Sequence, residues 1–476
     1  MKFANAVENM KEEIFAATGK LIAIPSVEGT PEPGAPFGKN VREALDATLK
    51  LGEELGFKVV NHEGYAGHIE FGEGEEIIAV LAHVDVVPEG SGWTKEPYKM
   101  TRVDGKLYGR GTSDDKGPAV AVIYALKSLK DAGVKFNRRV RIIIGCDEET
   151  GRWDCMKHYF EKEPMPLCGF TPDSDFPIIN SEMGIIICSL EEKFEKNDTC
   201  DCDNGNICVR EITGGNKANM VPDYCEARIT VKKGGKETIE KVLEKYRAKE
   251  FGLTSEYCVK DEKYGEVCIL EAIGVSAHGS TPEKGQNAIS MILTVLNDLS
   301  LCQSDVADYI KFLGKNIGME LNGQSFGLGM EDDVSGKLIL NLGVLKLNET
   351  EASATINIRY PVTNEEKEVY EILDKKSKMA GITVSRGASK APLYVPADNF
   401  MVKTLQKVYT QVTGNEAKLI SISGGTYARA IKNAVAFGPL FPDSVETYHQ
   451  KDEYITESDL ITAAKIYAEA LYELVK

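Results

Sequence analysis

Histidine is scarce in this chain, which has six, so the surroundings of each one are informative. His83 follows the apolar run 77–82, whose continuity predicts a strand that is buried on both faces. Asp85 comes two residues later, and residues two apart share one face of a strand. Asp85 could therefore accept a hydrogen bond from the His83 ring, as a carboxylate beside a metal-bound imidazole does. A single His-x-Asp pattern is a weak indication of a metal site.

A second segment, residues 108–117, combines glycines with the paired acids Asp114 and Asp115. Glycines allow tight turns that bring the backbone close to a site. The two acids come just before a predicted helix start, where a carboxylate can also simply cap the first turn. Taken alone, this segment fits a metal ligand and a helix cap equally well.

Three further segments carry acids or a histidine. Glu148 and Glu149 follow the predicted strand 139–145, at the carboxyl end where open α/β sheets bind ligands. Asp173 ends a Thr-Pro-Asp sequence, and His449 begins the sequence His-Gln-Lys-Asp-Glu. Acids that are buried at such positions cost free energy unless they bind something.

Together the five segments supply two histidines and several carboxylates. This ligand set suits zinc, with manganese or cobalt as substitutes. A pair of metal ions about 3.5–4 Å apart needs one bridging carboxylate and about two further ligands for each ion. A free carboxylate must also remain as the general base for an attacking water. The sequence contains enough groups for every role, but spacing alone does not assign the roles.

The elements around these segments predict an α/β domain. From Val120 onward, apolar residues recur at helical spacing, and Gly133 could end this helix. The helix lies between the predicted strands 77–82 and 139–145. A strand, helix, strand order of this kind predicts a parallel sheet.

Residues 184–387 follow a different pattern. Apolar and polar residues alternate there, as in 226–231, which is typical of half-buried strands in an antiparallel sheet. Two helical stretches interrupt these strands. We therefore predict an inserted α+β domain that divides the first domain into residues 1–183 and 388–476.

Composition excludes some classes of partner. The chain has 56 Lys and Arg against 73 Asp and Glu, a formal net charge of -17, which repels nucleic acid and anionic membranes. No run approaches the roughly 20 apolar residues of a membrane span. The N-terminal residues lack the apolar core of a signal peptide. The 11 cysteines, an odd number, favour reduced thiols over a disulfide framework, so we predict a cytoplasmic protein.

The five segments, in this order and with these spacings, resemble the metallopeptidase family of aminoacylase, carnosinase, glutamate carboxypeptidase and acetylornithine deacetylase. Within that family, residues 170–173, 424–429 and 449–453 are most similar to the PepV-type dipeptidases of bacteria. The likeness spans essentially the whole chain. It implies an α/β zinc-peptidase catalytic domain with a mixed, largely parallel sheet, interrupted by an inserted α+β lid domain.

The resemblance implies two Zn²⁺ ions per chain, with Mn²⁺ or Co²⁺ as possible substitutes. His83 and Asp173 would bind one ion. Glu149 and His449 would bind the other, and Asp114 would bridge both.

The catalytic residues are implied in the same way. Asp85 would support His83 from behind, and Glu148 would be the general base that takes a proton from a metal-bridging water. In relatives, the peptide bond after the bridging aspartate is cis, which here would be the bond between Asp114 and Asp115.

The lid domain would contribute further residues. His278, in Ser-Ala-His-Gly-Ser-Thr-Pro, resembles the histidine that stabilises the oxyanion of the tetrahedral intermediate. Asn219 and Arg359 resemble a substrate-binding pair, and an Arg fork suits the free carboxylate of a short peptide. Gly425 and Thr426 would add contacts near the same carboxylate.

The function that follows from the resemblance is a monomeric dipeptidase acting on dipeptides or very short peptides with a free C-terminal carboxylate. An alternative is a deacylase of the same family, of the acetylornithine or succinyl-diaminopimelate type, which commonly has a smaller lid. A remote alternative is an inactive homologue that binds peptides. Every catalytic and ligand position is filled, which argues against this last alternative.

Overall fold

The structure is a computed structural model that describes residues 2–194, 207–232 and 235–476. Within these residues the α-helices are α1 (Ala4–Asn9), α2 (Lys11–Ile22), α3 (Lys39–Glu54), α4 (Lys116–Asp131), α5 (Asp154–Lys162), α6 (Gly235–Arg247), α7 (Ala288–Asn297), α8 (Asp305–Asn316), α9 (Glu366–Lys378), α10 (Phe400–Thr413) and α11 (Glu457–Val475). Short 3-10 helices span Pro282–Lys284 and Tyr427–Ala430.

The strands fall into the same described ranges. Up to Glu182 they are β1 (Lys58–His62), β2 (Ala66–Phe71), β3 (Ile77–His83), β4 (Thr101–Val103), β5 (Lys106–Tyr108), β6 (Arg139–Gly145), β7 (Cys168–Thr171), β8 (Ser174–Asp175) and β9 (Ile178–Glu182). From there to Lys390 they are β10 (Gly184–Lys193), β11 (Ile207–Gly214), β12 (Met220–Val221), β13 (Tyr224–Val231), β14 (Gly252–Asp261), β15 (Gly265–Ile273), β16 (Ala277–His278), β17 (Glu331–Asp332), β18 (Gly336–Lys337), β19 (Ile339–Leu347), β20 (Glu351–Tyr360) and β21 (Thr383–Lys390). The remaining strands are β22 (Leu393–Tyr394), β23 (Leu419–Ile422), β24 (Ala434–Ala436), β25 (Pro439–Leu440) and β26 (Tyr454–Thr456).

The chain forms two compact units. The first consists of Met1–Ser181 and Leu393–Lys476, and the second is Glu182–Pro392. The insert expected from the sequence ran from residue 184 to residue 387.

The first unit is built on a nine-stranded mixed sheet with the order β1-β2-β6-β3-β7-β24-β9-β22, in which β23 also pairs with β9. The four strands β6, β3, β7 and β24 pair in parallel, while β1, β2 and β9 join antiparallel. All seven residues of β3 are buried, which explains the unbroken apolar run of this strand. The mixed α/β sheet predicted for this domain is confirmed.

The parallel centre of this sheet determines where the functional residues lie. In the register of β3 and β6, His83 stands opposite Gly145, so both strands end at the same level. Strand β7 runs parallel on the other side of β3 and ends at Thr171. The segments that carry Glu148 and Asp173 therefore leave the same edge of the sheet as His83.

Helix α4 starts directly behind the paired acids and is almost wholly buried. It packs against α11 and α2. Gly133 follows its C-cap residue with a φ of 66°, the left-handed conformation that glycine adopts without strain. The predicted helix and its terminator are confirmed.

The second unit contains an eight-stranded antiparallel sheet with the order β14-β15-β13-β11-β19-β20-β10-β21. Its inner positions alternate as predicted, and in β13 the buried residues include Ala227 and Ile229. Helices α7 and α8 belong to the same core as this sheet.

The cysteines were expected from the sequence to be reduced thiols. Cys146, Cys155, Cys168, Cys188, Cys225, Cys258 and Cys268 are free thiols, as the sequence favoured, whereas Cys208 is disulfide-bonded and departs from that expectation. Cys200 and Cys202 lie outside the described residues. In the part of the chain that the structure describes, no helix is both long enough and apolar enough to cross a membrane.

The pairing of β10 with β20 generates a stability prediction. Gly184 faces the buried ring of Tyr360, and a Cβ at residue 184 would lie 2.0 Å from Tyr360 Cζ. We expect Gly184→Ala to lower the free energy of unfolding by about 1–3 kcal/mol, because the ring or the strand must shift. The control Gly329→Ala meets only the flexible Gln324 side chain and should change stability little. Urea unfolding measures both, and equal stabilities would contradict the packing described.

Candidate active site

A single carboxylate, Asp114, lies between two imidazoles. Its Oδ1 is 3.0 Å from His83 Nε2, and its Oδ2 is 3.0 Å from His449 Nε2. More than 360 residues separate the two histidines in sequence, since they are residues 83 and 449. Asp114 therefore contacts histidines from both sequence segments of the first unit.

Two groups of potential metal ligands share this carboxylate. One consists of His83, Asp114 and Asp173, and the other of Asp114, Glu149 and His449, with the ligand atoms of each group within 4.8 Å of one another. Asp173 Oδ2 is 3.5 Å from His83 Nε2, and Glu149 Oε2 is 3.0 Å from His449 Nε2. The structure thus brings together all five residues that the sequence proposed as ligands.

The hydrogen bonds of the His83 ring show whether a cation fits between this histidine and the acids Asp114 and Asp173. Its Nδ1 lies 3.0 Å from the backbone oxygen of Asp85, so Nδ1 carries the proton and donates it. The Nε2 lone pair then faces the oxygens of Asp114 and Asp173, and this buried atom has no hydrogen-bond partner among the described residues. A buried imidazole nitrogen that faces carboxylates requires a positive charge at that point, either its own proton or a bound cation. The residues present fit a divalent cation at this position.

The second group has the same electrostatic character. Hydrogen bonds to Asp114 and Glu149 raise the pKa of His449 to about 11. Burial raises the pKa of Glu149 to about 7, and the nearby charge of Asp114 acts in the same direction. The raised pKa values of His449 and Glu149 both reflect an excess of negative charge, and this charge would also attract a metal ion.

Asp85 connects the two groups from behind. Its Oδ1 is 3.5 Å from His83 Nδ1, and its Oδ2 accepts a hydrogen bond from the backbone N–H of Glu149 at 3.0 Å. The ring of His83 is therefore oriented by the backbone oxygen of Asp85, whereas the carboxylate, which the sequence expected in that role, fixes the loop that carries the acid of the other group, and its Oδ1 has no hydrogen-bond partner among the described residues.

Glu148 belongs to neither ligand group, although it stands beside both. Burial raises its pKa well above the ordinary value, and the charges of Asp173, Glu149 and Asp114 raise it further. The loop is held by Glu148's own carbonyl oxygen, which accepts from Gly151 N at 2.8 Å. A carboxyl group that favours its proton next to a metal-binding cluster can act as a general acid and base.

The paired acids have different tasks. The bond between Asp114 and Asp115 is cis, as the family resemblance predicted. Asp115 is the N-cap residue of α4 but makes no side-chain capping bond, and its carboxylate accepts from the backbone N–H of His83 at 3.1 Å. Helix capping by these side chains, the alternative that the sequence left open, is therefore wrong.

Glu453 is a buried residue of this site that the sequence did not assign. Its Oε2 accepts a hydrogen bond from Arg110 Nη1 at 2.6 Å, and neither side chain is more than 1% exposed. Its carboxylate also accepts hydrogen bonds from the loop that leads to the bridging aspartate, with donors Gly111 N, Ser113 N, Ser113 Oγ and Asp114 N. Because Glu453 lies four residues after His449, it fixes Asp114 relative to His449.

The segment with Gly425 and Thr426 is held close to His83 by the next residue. The Thr426 hydroxyl caps the following 3-10 helix by accepting from Ala428 N at 3.2 Å. The fully buried Tyr427 packs edge-on against the His83 ring, with centroids 5.9 Å apart. A Cβ at residue 425 would lie 3.0 Å from Arg429 Nε, so glycine permits the guanidinium to approach the backbone.

The second unit brings its own three candidate residues together. Gly279 N donates to Asn219 O at 2.7 Å, and Met220 pairs with His278 between β12 and β16. Burial and the charge of Arg359 lower the pKa of His278. Ser280 N donates to His278 Nδ1, so the ring proton is on Nε2.

Two asparagines that the sequence did not assign organise this group. Asn341 Nδ2 donates to the carbonyl oxygens of Ala218 and Met220, at 3.0 and 2.8 Å, and so holds both sides of Asn219. Asn357 stands opposite Asn341 in the β19–β20 register and accepts from Arg359 Nε at 2.9 Å. Each asparagine stands between two apolar core residues of its strand and so lies on the opposite face, where the sequence pattern does not distinguish a buried polar residue from an exposed one.

Comparisons with known proteins show which family and fold the chain shares. The sequence model of peptidase family M20/M25/M40 matches residues 79–473. The protein YtjP of Bacillus subtilis (strain 168), whose name assigns it provisionally as a dipeptidase, is 40% identical over 479 residues, which cover 100% of both chains. The structure of the aminoacylhistidine dipeptidase of Vibrio alginolyticus has a TM-score of 0.57 at 14% identity, with 97% of this chain and 96% of that chain covered. The di-peptidase Dug1p of Saccharomyces cerevisiae has a TM-score of 0.56 at 14% identity, with coverage of 99% and 97%. These two structures share the fold.

The buried pair of Arg110 and Glu453 generates a testable prediction. In Glu453→Gln the guanidinium loses its counter-charge, and the amide N–H₂ must face backbone N–H donors. We expect a loss of about 3–5 kcal/mol in the free energy of unfolding, together with weaker metal binding. Chemical unfolding and metal titration measure the two effects. The exposed control Glu416→Gln should leave both unchanged, and a Glu453→Gln variant that matches this control would contradict the role of Glu453.

Proposed function

Since the chain belongs to peptidase family M20/M25/M40, we propose that it is a two-zinc dipeptidase that hydrolyses dipeptides or very short peptides with a free C-terminal carboxylate. The family resemblance stated from the sequence is thereby confirmed, and the chain is a metallopeptidase. The single observation that carries the proposal is Asp114, each of whose oxygens faces the Nε2 atom of a different histidine.

The ligands would divide as the two groups do. His83 and Asp173 would hold one Zn²⁺, Glu149 and His449 the other, and Asp114 both. Imidazole and carboxylate ligands suit zinc, and Mn²⁺ or Co²⁺ could replace it. When bound, such ions polarise a carbonyl group and make a water molecule easier to deprotonate.

Glu148 would move the proton. Its carboxylate takes a proton from the attacking water and then delivers that proton to the nitrogen of the leaving amine. Two features support this role: Glu148 stands beside the ligands without belonging to either group, and its surroundings raise its pKa. Asp85 would keep His83 and the neighbouring Glu149 oriented during the reaction.

The lid residues would recognise the substrate. The proton on Nε2 of His278 is available to donate to the oxyanion. Arg359 and Asn219 would bind the C-terminal carboxylate of the peptide, with further contacts from Gly425 and Thr426. Charge-assisted hydrogen bonds from Arg359 would make a free carboxylate essential and would favour short peptides.

The setting of the reaction is part of the same proposal. The acidic chain repels nucleic acid and anionic membranes, so short peptides would be its partners. We place the enzyme in the cytoplasm and expect it to act as a monomer, because a lid of this size would supply His278, Asn219 and Arg359 to the active site of its own chain.

Replacement of the general base tests the reaction itself. Glu148→Gln should lower kcat by roughly 10²–10⁴-fold on a dipeptide and leave the metal content near that of the wild type. Asp114→Asn should lose metal and activity together, because it removes the shared ligand. Activity assays and metal analysis on the same preparations separate these outcomes, with the exposed Glu161→Gln as control. A fully active Glu148→Gln variant would remove this residue from the mechanism.

Removal of the carboxylate contact tests the substrate class. Arg359→Met should raise KM for a dipeptide by about 10–150-fold, which corresponds to the roughly 1.5–3 kcal/mol of a charge-assisted hydrogen bond. Amidation of the substrate's C-terminus should have a similar effect on the wild type. The exposed Arg386→Met on β21 is the matched control.

The same assays distinguish the related deacylases. Brisk cleavage of amidated or longer peptides would contradict the dipeptidase assignment. A preference for N-acyl amino acids over dipeptides would point to the deacylase alternative instead.

A further inference from the structure

A second cluster of metal-binding side chains lies at the edge of the first unit's sheet and shares no residue with the candidate active site. His62 ends β1, the edge strand, His68 lies in β2, and Glu163 follows α5. Each offers one ligand atom, and these atoms lie within 4.8 Å of one another. We propose that His62, His68 and Glu163 form a third divalent metal site, suited to zinc.

The geometry is close to that of a zinc site. His62 Nε2 is 3.0 Å from Glu163 Oε1. With zinc–ligand bonds of about 2.0–2.2 Å, neighbouring ligands of a tetrahedron lie about 3.3–3.5 Å apart. Small side-chain rotations would therefore place an ion between the three residues. Two histidines and one glutamate leave a fourth position for water, as in zinc sites with three protein ligands.

His68 is a neutral imidazole, the form of histidine that binds a metal ion. The ring is 3% exposed and lies near Arg141, a setting that disfavours a charged imidazole. Its Nδ1 shares a hydrogen bond of 2.9 Å with the hydroxyl group of Tyr159, and that hydroxyl oxygen accepts from Arg141 Nη1 at 3.3 Å. In the tautomer whose proton is on Nδ1, the Nε2 lone pair is the one offered to a metal ion, as in metal-bound histidines.

Glu163 would supply the negative charge of the site. Glu163 Oε2 accepts from Arg141 Nη1 at 2.7 Å, which leaves Oε1 directed toward His62. Arg141 also pairs with Glu70, at 2.6 Å from Nη2, and Glu70 has further cationic partners in Arg139 Nη1 at 3.4 Å and Lys58 Nζ at 3.9 Å. The negative charge offered to an ion is therefore that of Glu163 alone. The side chains of His62 and Glu163 are 13% and 17% exposed, so an ion could reach them from solvent.

The position of the site explains what a metal would do there. It would join the edge hairpin of β1 and β2 to the end of α5. Helix α5 begins at Asp154, five residues after Glu149, so the clamp would act on the helix that follows the catalytic loop. We infer a structural role, because none of the three residues belongs to the ligand groups around Asp114.

Zinc stoichiometry tests the proposal. The full chain is stripped with a chelator, reloaded with excess Zn²⁺ and desalted, and the bound zinc is measured by mass spectrometry. We expect His62→Gln to hold one zinc per chain fewer than the wild type, with activity in excess zinc unchanged. His158→Gln is the matched control, since His158 lies nearby in α5 but is stacked on Tyr65 and paired with Glu63. It should retain the wild-type number.

The outcomes separate this site from the catalytic pair. If both exist, the wild type holds three ions and His62→Gln two. If the two proposed ions at Asp114 do not bind, the wild type should still hold one zinc per chain more than His62→Gln. Equal zinc contents in the wild type and His62→Gln would overturn the third site. Cobalt loading gives a second readout that compares wild type and Glu163→Gln, and identical visible spectra per chain would likewise overturn it.

Discussion

The carboxylate of Asp114 is the group on which the rest of the candidate site depends. Burial by itself favours the protonated form, yet the imidazoles of His449 and His83 hold the pKa of Asp114 well below its usual range. Both of its oxygens face nitrogen atoms that can act as metal ligands, and further acids stand behind those nitrogens. So much negative charge in a buried place is stable only with compensating positive charge.

The surrounding structure fixes this carboxylate from several directions. Strand β3 delivers His83 at the carboxyl edge of the parallel sheet, and Asp115 binds the backbone N–H of the same histidine. From the other end of the chain, Glu453 holds the backbone before Asp114 and stands four residues after His449. The two halves of the first unit are therefore connected through the site itself, which explains why residues so distant in sequence meet.

Much of this arrangement was accessible from the sequence, for identifiable reasons. The continuous apolar run of β3 and the helical spacing of α4 each follow from a single periodicity, and the acids that follow these elements were visible as motifs. Assignment of Asp114 as the bridge and Glu148 as the base required the family resemblance, because spacing along the chain does not determine distances between segments.

Contacts between segments that are distant in sequence could not be predicted from the local sequence pattern. The role of Glu453 depends on five donors from another segment, and Tyr427 contacts His83 only after β24 and β7 have paired. The paired acids illustrate the same limit, since a helix N-terminus and a ligand site have the same local sequence. Only the tertiary position showed that Asp115 binds His83 N instead of capping α4.

The central claim is that Asp114 bridges two metal ions. Anomalous diffraction from crystals of the zinc-loaded protein tests this claim most directly. At the active site we predict two zinc peaks about 3.5–4 Å apart, with one oxygen of Asp114 bound to each ion and His83 and His449 bound to different ions. A single zinc peak between His83 and His449, or two peaks that Asp114 does not bridge, would contradict the account.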